Sequence, residues 1–145
     1  MESAANEHVQ SSLGRVLWRA ALIWFALAIA AIVCGILRQA LLAPRVGEQA
    51  AHVVGTLAVC ALFAGILRVA VPWVAPGWRR KQRLGLGAGW CAATIAFEFG
   101  FGHYVVGHPW TKLLADYNLF RGRLWVLVLL TLLLAPMLAS KRHSV

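Results

Sequence analysis

In the stretch "IAFEFGFGHYVVGHPW", residues 95–110, one carboxylate stands among Phe97, Phe99 and Phe101: Glu98. A carboxylate in such surroundings has two kinds of work open to it, as a proton or cation site or as half of an ion pair. Read as a helix, the segment sets Cys91, Thr94 and Glu98 at i, i+3 and i+7, a thin polar stripe expected to point into a bundle. Other ionisable groups gather elsewhere. Glu48 and His52 are four residues apart, on one face with Thr56, and His103, His108, Asp116 and Asn118 follow in "GHYVVGHPWTKLLADYNLFRGRLW". Histidines and carboxylates together are the materials of a metal site or of acid–base catalysis. Spacing argues against metal here, because no H-E-x-x-H occurs and His103 and His108, five apart, align poorly on a helix. The expectation is an outer-face polar cluster of Glu48, His52, His103, His108, Asp116 and Asn118, with no metal and no cofactor.

The elements that must position these groups follow from composition. A chain of 145 residues that is 61% hydrophobic and 13% charged, with mean hydropathy +0.72, is too apolar for a soluble domain of this size. Four segments approach the roughly 20 residues that cross a bilayer: Val16 to Leu37, Gln49 to Val71, Leu84 to His103, and Gly122 to Ala139. The expected fold is therefore an all-α membrane protein: one transmembrane domain over residues 16–139, a polar N-terminal tail over 1–15 and a basic C-terminal tail over 140–145. Arg15 and Arg19 precede the apolar run of the first span, Ala20 to Leu37, as in a secretory signal, but that run exceeds the roughly 7–15 residues of a signal core, so a retained helix is expected. Val33 stands before Cys34 where lipoprotein processing needs a small residue.

Charge sets the expected orientation. With a cytoplasmic N-terminus, that side holds Arg15, Arg19, Arg68, Arg79, Arg80, Lys81, Arg83, Lys141 and Arg142, nine of the 14 basic residues; Arg38, Arg45, Lys112, Arg121 and Arg123 lie opposite. This positive-inside asymmetry puts both termini in the cytoplasm. The run Arg79, Arg80, Lys81 and Arg83 should attract anionic lipid headgroups at about 1 kcal/mol per basic residue. The net charge of +9 is thereby explained without nucleic acid, for which no readable fold is present.

Smaller patterns refine the picture. "GILRQALLAP" and "GILRVAVPWVAP" look alike; Arg38 and Arg68 are expected to face the carbonyl ends of their helices, with Pro44 and Pro72 as stops. Gly85, Gly89, Ala96 and Gly100 form a ridge of small residues suited to close helix packing. Glu98 lies 14 steps from Leu84, roughly 21 Å of helix, which puts it about 9 Å below the outer surface of a 30 Å core. The fourth span is short enough to draw Arg123, or Arg121, to the same depth, and a buried charge favours an ion pair there. Trp110, Tyr117, Phe120, Trp125 and Tyr104 read as an interfacial aromatic belt. Pro109 can start a short interfacial helix through "WTKLLADY" in the third, outer loop, lidding the bundle. Cys34, Cys60 and Cys91 lie one per span and are expected to pack as small apolar residues.

The strings "GILRQALLAPRVGEQAAH", "FEFGFG", "DYN" and "GRLW", in this order, resemble a group of uncharacterised small bacterial four-span membrane proteins, over Gly35 to Pro136. The resemblance implies a shared fold and a bacterial inner membrane, and it brings no reaction, cofactor or site residue.

Three functional classes stay open. The favoured one is a non-enzymatic membrane module whose outer face meets a lipid or protein partner or a second copy of the chain. The others are an oligomeric transporter or channel using Glu98, and a lipid-headgroup enzyme using His52, His103 or Asp116. No catalytic signature supports the last. Orientation can be tested directly: a Gly107→Cys variant is expected to react with an impermeant thiol reagent added to intact cells, and a Gln82→Cys variant to stay protected. The opposite labelling would invert every assignment of an outer face.

Overall fold

A computed structural model describes residues 2–115 and 124–139, with the side chains of 2–11, Lys112 and Ala115 excepted. Helix α1 (Glu2–Leu37) continues through a π-helical turn, Arg38–Leu42, into α2 (Ala43–Val46). Then come α3 (Glu48–Val74), α4 (Arg80–Gly100), a second π-helical turn at Phe101–Val105, the short α5 (Trp110–Ala115) and α6 (Trp125–Leu138). Three stretches are long and apolar enough to cross a membrane, Ser12–Val46, Glu48–Val74 and Arg80–Val105; α6 is a shorter apolar helix.

Several boundaries differ from those expected, each for a physical reason. The polar N-terminal tail is helical from Glu2. It holds neither Pro nor Gly before Gly14, so nothing in it breaks a helix, and extending an existing helix escapes the cost of nucleation. Neither Pro44 nor Pro72 stops its helix. Pro44 occupies the first turn of α2, where its missing N–H costs little, and the chain turns instead at Gly47, with φ +83°. Pro72 lies inside α3. It deprives only the Arg68 carbonyl of its donor, and the fully buried Val71 and Val74 hold the last turn in place. Arg38 and Arg68 are therefore not at helix ends, and their expected role of facing terminal carbonyls is not met.

The core follows one side of α3, where Val59, Phe63, Leu67, Val71 and Val74 recur at helical spacing and are buried. Val16, Ala20 and Leu27 of α1 meet this ridge from one side, and Val128 and Leu132 of α6 belong to the same cluster. Helix α6 in turn lies along α4. Three contacts fix the antiparallel register of that pair: Arg83 with Ala139, Cys91 with Leu129, and Glu98 with Trp125.

Gly87 sits between these contacts and explains how close the two helices come. A Cβ there would lie 2.5 Å from the Leu133 carbonyl oxygen and 2.8 Å from that of Leu132. Pro136, inside α6, supplies no N–H to the Leu132 carbonyl, which leaves that oxygen free to meet the Cα–H of Gly87. The small-residue ridge read from the sequence is displaced from this contact: a Cβ added at Gly85, Gly89 or Gly100 would meet nothing within 4 Å, and Ala96 is exposed. Their spacing is helical, but the face buried against α6 is the one holding Arg83, Gly87 and Trp90.

Arg83 also departs from expectation. It is only 6% exposed, and its guanidinium donates to the Ala139 carbonyl at the end of α6. The last carbonyls of a helix lack internal donors, and a guanidinium one turn inside α4 faces them directly. Its Nε has no acceptor among the described residues. Arg83 is thus buried against the end of α6, whereas Arg79, Arg80 and Lys81 are exposed.

The close approach at Gly87 generates a comparison. Gly87→Ala should lower the melting temperature in detergent by an amount corresponding to about 1–3 kcal/mol, since backbone must move to admit the methyl. Gly85→Ala and Gly89→Ala, made into open space, should be neutral or slightly stabilising. Equal melting of all three variants would remove Gly87 as the contact point.

Candidate functional site

Glu98 is part-buried, and its Oε2 accepts a hydrogen bond of 2.8 Å from the indole N–H of Trp125. Indole can only donate, and a carboxyl oxygen can accept whether or not the group is ionised, so the pair is complementary. The residue before Trp125 leads the other way: the backbone N–H of Leu124 approaches Nε2 of His52 at 3.4 Å. The start of α6 thereby touches α4 and α3 through consecutive residues.

His52 is held from its other side. Arg38 Nη1 lies 3.1 Å from His52 Nδ1, and because a guanidinium has no lone pair to offer, Nδ1 must be the acceptor. A ring that accepts at Nδ1 carries its proton at Nε2, so the longer Leu124 approach is best taken as a near contact and not as a second full bond. The π-helical turn begins at Arg38, and the stem of that side chain crosses Gly55, where an added Cβ would fall 2.7 Å from Cδ. Gly55 thus clears the path from α1 to His52. Thr56 returns its hydroxyl to the His52 carbonyl at 2.8 Å.

The remaining members of the polar stripe are also engaged across helices. Cys91 Sγ donates to the Leu129 carbonyl of α6 at 3.1 Å. Thr94 Oγ1 accepts the indole N–H of Trp24, from α1, at 3.1 Å. Trp90 reciprocates by donating to the Ala20 carbonyl at 3.0 Å, so α1 and α4 are joined twice by tryptophans four residues from the partner position.

His103 and His108 belong to a different set. His103 Nδ1 donates to the His108 carbonyl at 3.0 Å, and the His103 ring stacks on Trp110 with centroids 4.0 Å apart. Phe99 lies against the same indole at 6.0 Å. Gly107, at φ +76°, turns the chain after the second π-helical turn, and the His108 N–H closes on the Gly102 carbonyl at 2.9 Å. Leu113 then packs on Gly102, so α5 is seated on the end of α4 through Trp110 and Leu113, while Leu114 is exposed.

The expected outer-face cluster therefore has two parts in the described residues. Glu48 and His52 meet adjacent residues of the first π-helical turn, Glu48 through a long 3.4 Å contact from Gln39 and His52 through Arg38; His103 and His108 are partnered around α5. Asp116, Asn118, Arg121 and Arg123, with Tyr117 and Phe120, lie outside the described residues, and with them the expected Glu98–Arg ion pair. Among the described residues no group of three or more His, Cys, Asp or Glu is placed to hold a metal ion. Sequence reasoning does not single out Trp24, Trp90 or Arg38 as members of the site, and it places Trp125 only in an aromatic belt. The signal for the three tryptophans is an indole inside an apolar span, whose N–H must find an acceptor when water is absent.

Long apolar helices joined by interhelical polar bonds have the build of a small helical membrane protein. No particular family follows from the comparisons: no protein-family profile, curated protein or solved structure matches the chain.

The Glu98–Trp125 bond can be weighed by a double-mutant cycle. Glu98→Leu and Trp125→Phe should each destabilise the protein in detergent, and the double variant should lose less than their sum, with a coupling of about 1–2 kcal/mol. Additive losses would mean that the two side chains do not depend on one another.

Proposed function

We propose that this chain is a multi-pass protein of a bacterial inner membrane, kin to the small four-span group it resembles, with both termini cytoplasmic and α6 as its fourth crossing. Its role is that of a non-enzymatic membrane module. The outer face carries Glu48, His52, His103 and His108 beside the aromatic surface of α5, and presents them to a lipid or protein partner. The exposed Arg79, Arg80 and Lys81 meet anionic headgroups on the opposite side.

The observation that carries this reading is the bond from Trp125 to Glu98. A carboxyl group that binds and releases protons or cations in a transport cycle has to exchange partners, whereas a donor-only indole holds this carboxylate in one geometry. Cys91 and Thr94 on the same stripe are likewise engaged by neighbouring helices, which supports a structural use for the whole face.

Flux measurements separate the classes. Proteoliposomes of wild-type protein and of Glu98→Gln are expected to show the same proton and cation leak as protein-free vesicles, while Glu98→Gln melts below wild type by an amount corresponding to about 1 kcal/mol, the typical net worth of one hydrogen bond. If a protein-dependent flux disappears in Glu98→Gln while melting is unchanged, Glu98 is a transport site and the module reading fails.

A further inference from the structure

Arg68 is in an unusual place for a charged residue. Charged side chains within membrane-spanning helices nearly always turn inward or pair. Arg68 is exposed on α3 and has no hydrogen bond, ion pair or ring contact among the described residues. It does not cap α3, which runs on to Val74. Counting from Glu48, the first residue of α3, Arg68 lies 20 residues along, or about 30 Å at 1.5 Å per residue. This equals the thickness of a typical hydrocarbon core. With Glu48 at one boundary, the guanidinium falls at the other, at the depth of lipid phosphates.

Next to it runs an open apolar groove of about 630 Å³, lined by Ala61, Leu62, Gly65, Ile66, Val69 and Ala70. Gly65, three residues before Arg68 and on the same exposed face, forms the notch: nothing lies within 4 Å of a Cβ built there. Most of this lining lies on the Glu48 side of Arg68, toward the middle of the core, where acyl chains run. A cation at headgroup depth and a groove leading from it into the hydrocarbon match the two halves of one molecule.

We propose that α3 holds an anionic phospholipid, its phosphate on Arg68 and one acyl chain along the Ala61–Gly65–Val69 groove. Arginine suits this role because its planar fork binds two phosphate oxygens at once and is weakly hydrated. Charge complementarity selects the occupant, since a neutral apolar partner would leave the guanidinium unmatched. The inference rests on α3 lying in a bilayer, and its failure would leave the outer-face role untouched.

Native mass spectrometry of the detergent-purified full chain, titrated with phosphatidylglycerol or phosphatidylcholine, tests it. Wild type should retain one phosphatidylglycerol at least fivefold more tightly than phosphatidylcholine. Arg68→Gln should weaken that binding at least fivefold, and more than Arg80→Gln in the basic loop does. Gly65→Leu, which fills the notch but leaves the charge, should weaken it similarly. Both exchanges are at exposed positions, and unchanged melting of the variants will show that the fold is kept. Wild-type retention in Arg68→Gln or Gly65→Leu, equal binding of the two lipids, or a larger loss in Arg80→Gln would each overturn the proposal. So would a wild-type dimer that Gly65→Leu converts to monomer, because a second copy of the chain would then occupy the groove.

Discussion

A helix long and apolar enough to cross a membrane has few polar partners except on its neighbours, and the arrangement here satisfies its polar side chains between helices. Lipid tails are as apolar as leucine, so burying apolar surface gives little reason for one spanning helix to choose another; close packing and interhelical hydrogen bonds must do it. Here three of the bonds are made by indoles. Trp24 and Trp90 tie α1 to α4, and Trp125 ties α6 to α4. Each brings a large apolar body that fills space and a single donor that demands an acceptor, so each specifies both distance and rotation between its helices.

Helix α6 receives most of this specification. At 14 residues it is about 21 Å long, short of a full core, yet it is bonded to α4 near both ends and in between. Arg83 secures its last carbonyl, Gly87 lets its backbone approach, and Glu98 receives its first tryptophan. The candidate site and the stability of the bundle are consequently the same set of contacts. Any change at the start of α6 is felt by α4 through Glu98.

Much of this is legible in the sequence and some is not, for separable reasons. Hydropathy runs locate the three long helices, because the requirement for about 20 apolar residues is set by membrane thickness and not by neighbours. Pro109 and the aromatic spacing after it similarly mark α5, which is found at Trp110–Ala115. The inward aim of Cys91, Thr94 and Glu98 follows from one rule, that polar groups avoid lipid. Packing partners are less accessible. The ridge Gly85, Gly89, Ala96, Gly100 and the lone Gly87 are equally small, and only the three-dimensional placement of α6 shows which face it covers. Arg38 and Arg68 stand in similar strings, yet one reaches His52 and the other faces outward. Gly55, on the facing helix α3, clears the path for the Arg38 side chain, a contact distant in sequence that the local string does not show.

The two π-helical turns, at Arg38–Leu42 and Phe101–Val105, bear on how such a chain can change over time. Each closes i→i+5 in place of i→i+4 and so accommodates one residue more than an α-turn, the signature of a single inserted position. Everything beyond the turn is rotated by about 100° relative to the straight continuation. Helix α2, which continues the first turn, is thereby out of phase with the apolar stretch before it, while the second turn is itself the end of its helix. Lipid-facing and site-facing patterns can drift independently along the same helix, and deleting one residue from either turn would restore the phase of the helix while re-aiming all that follows.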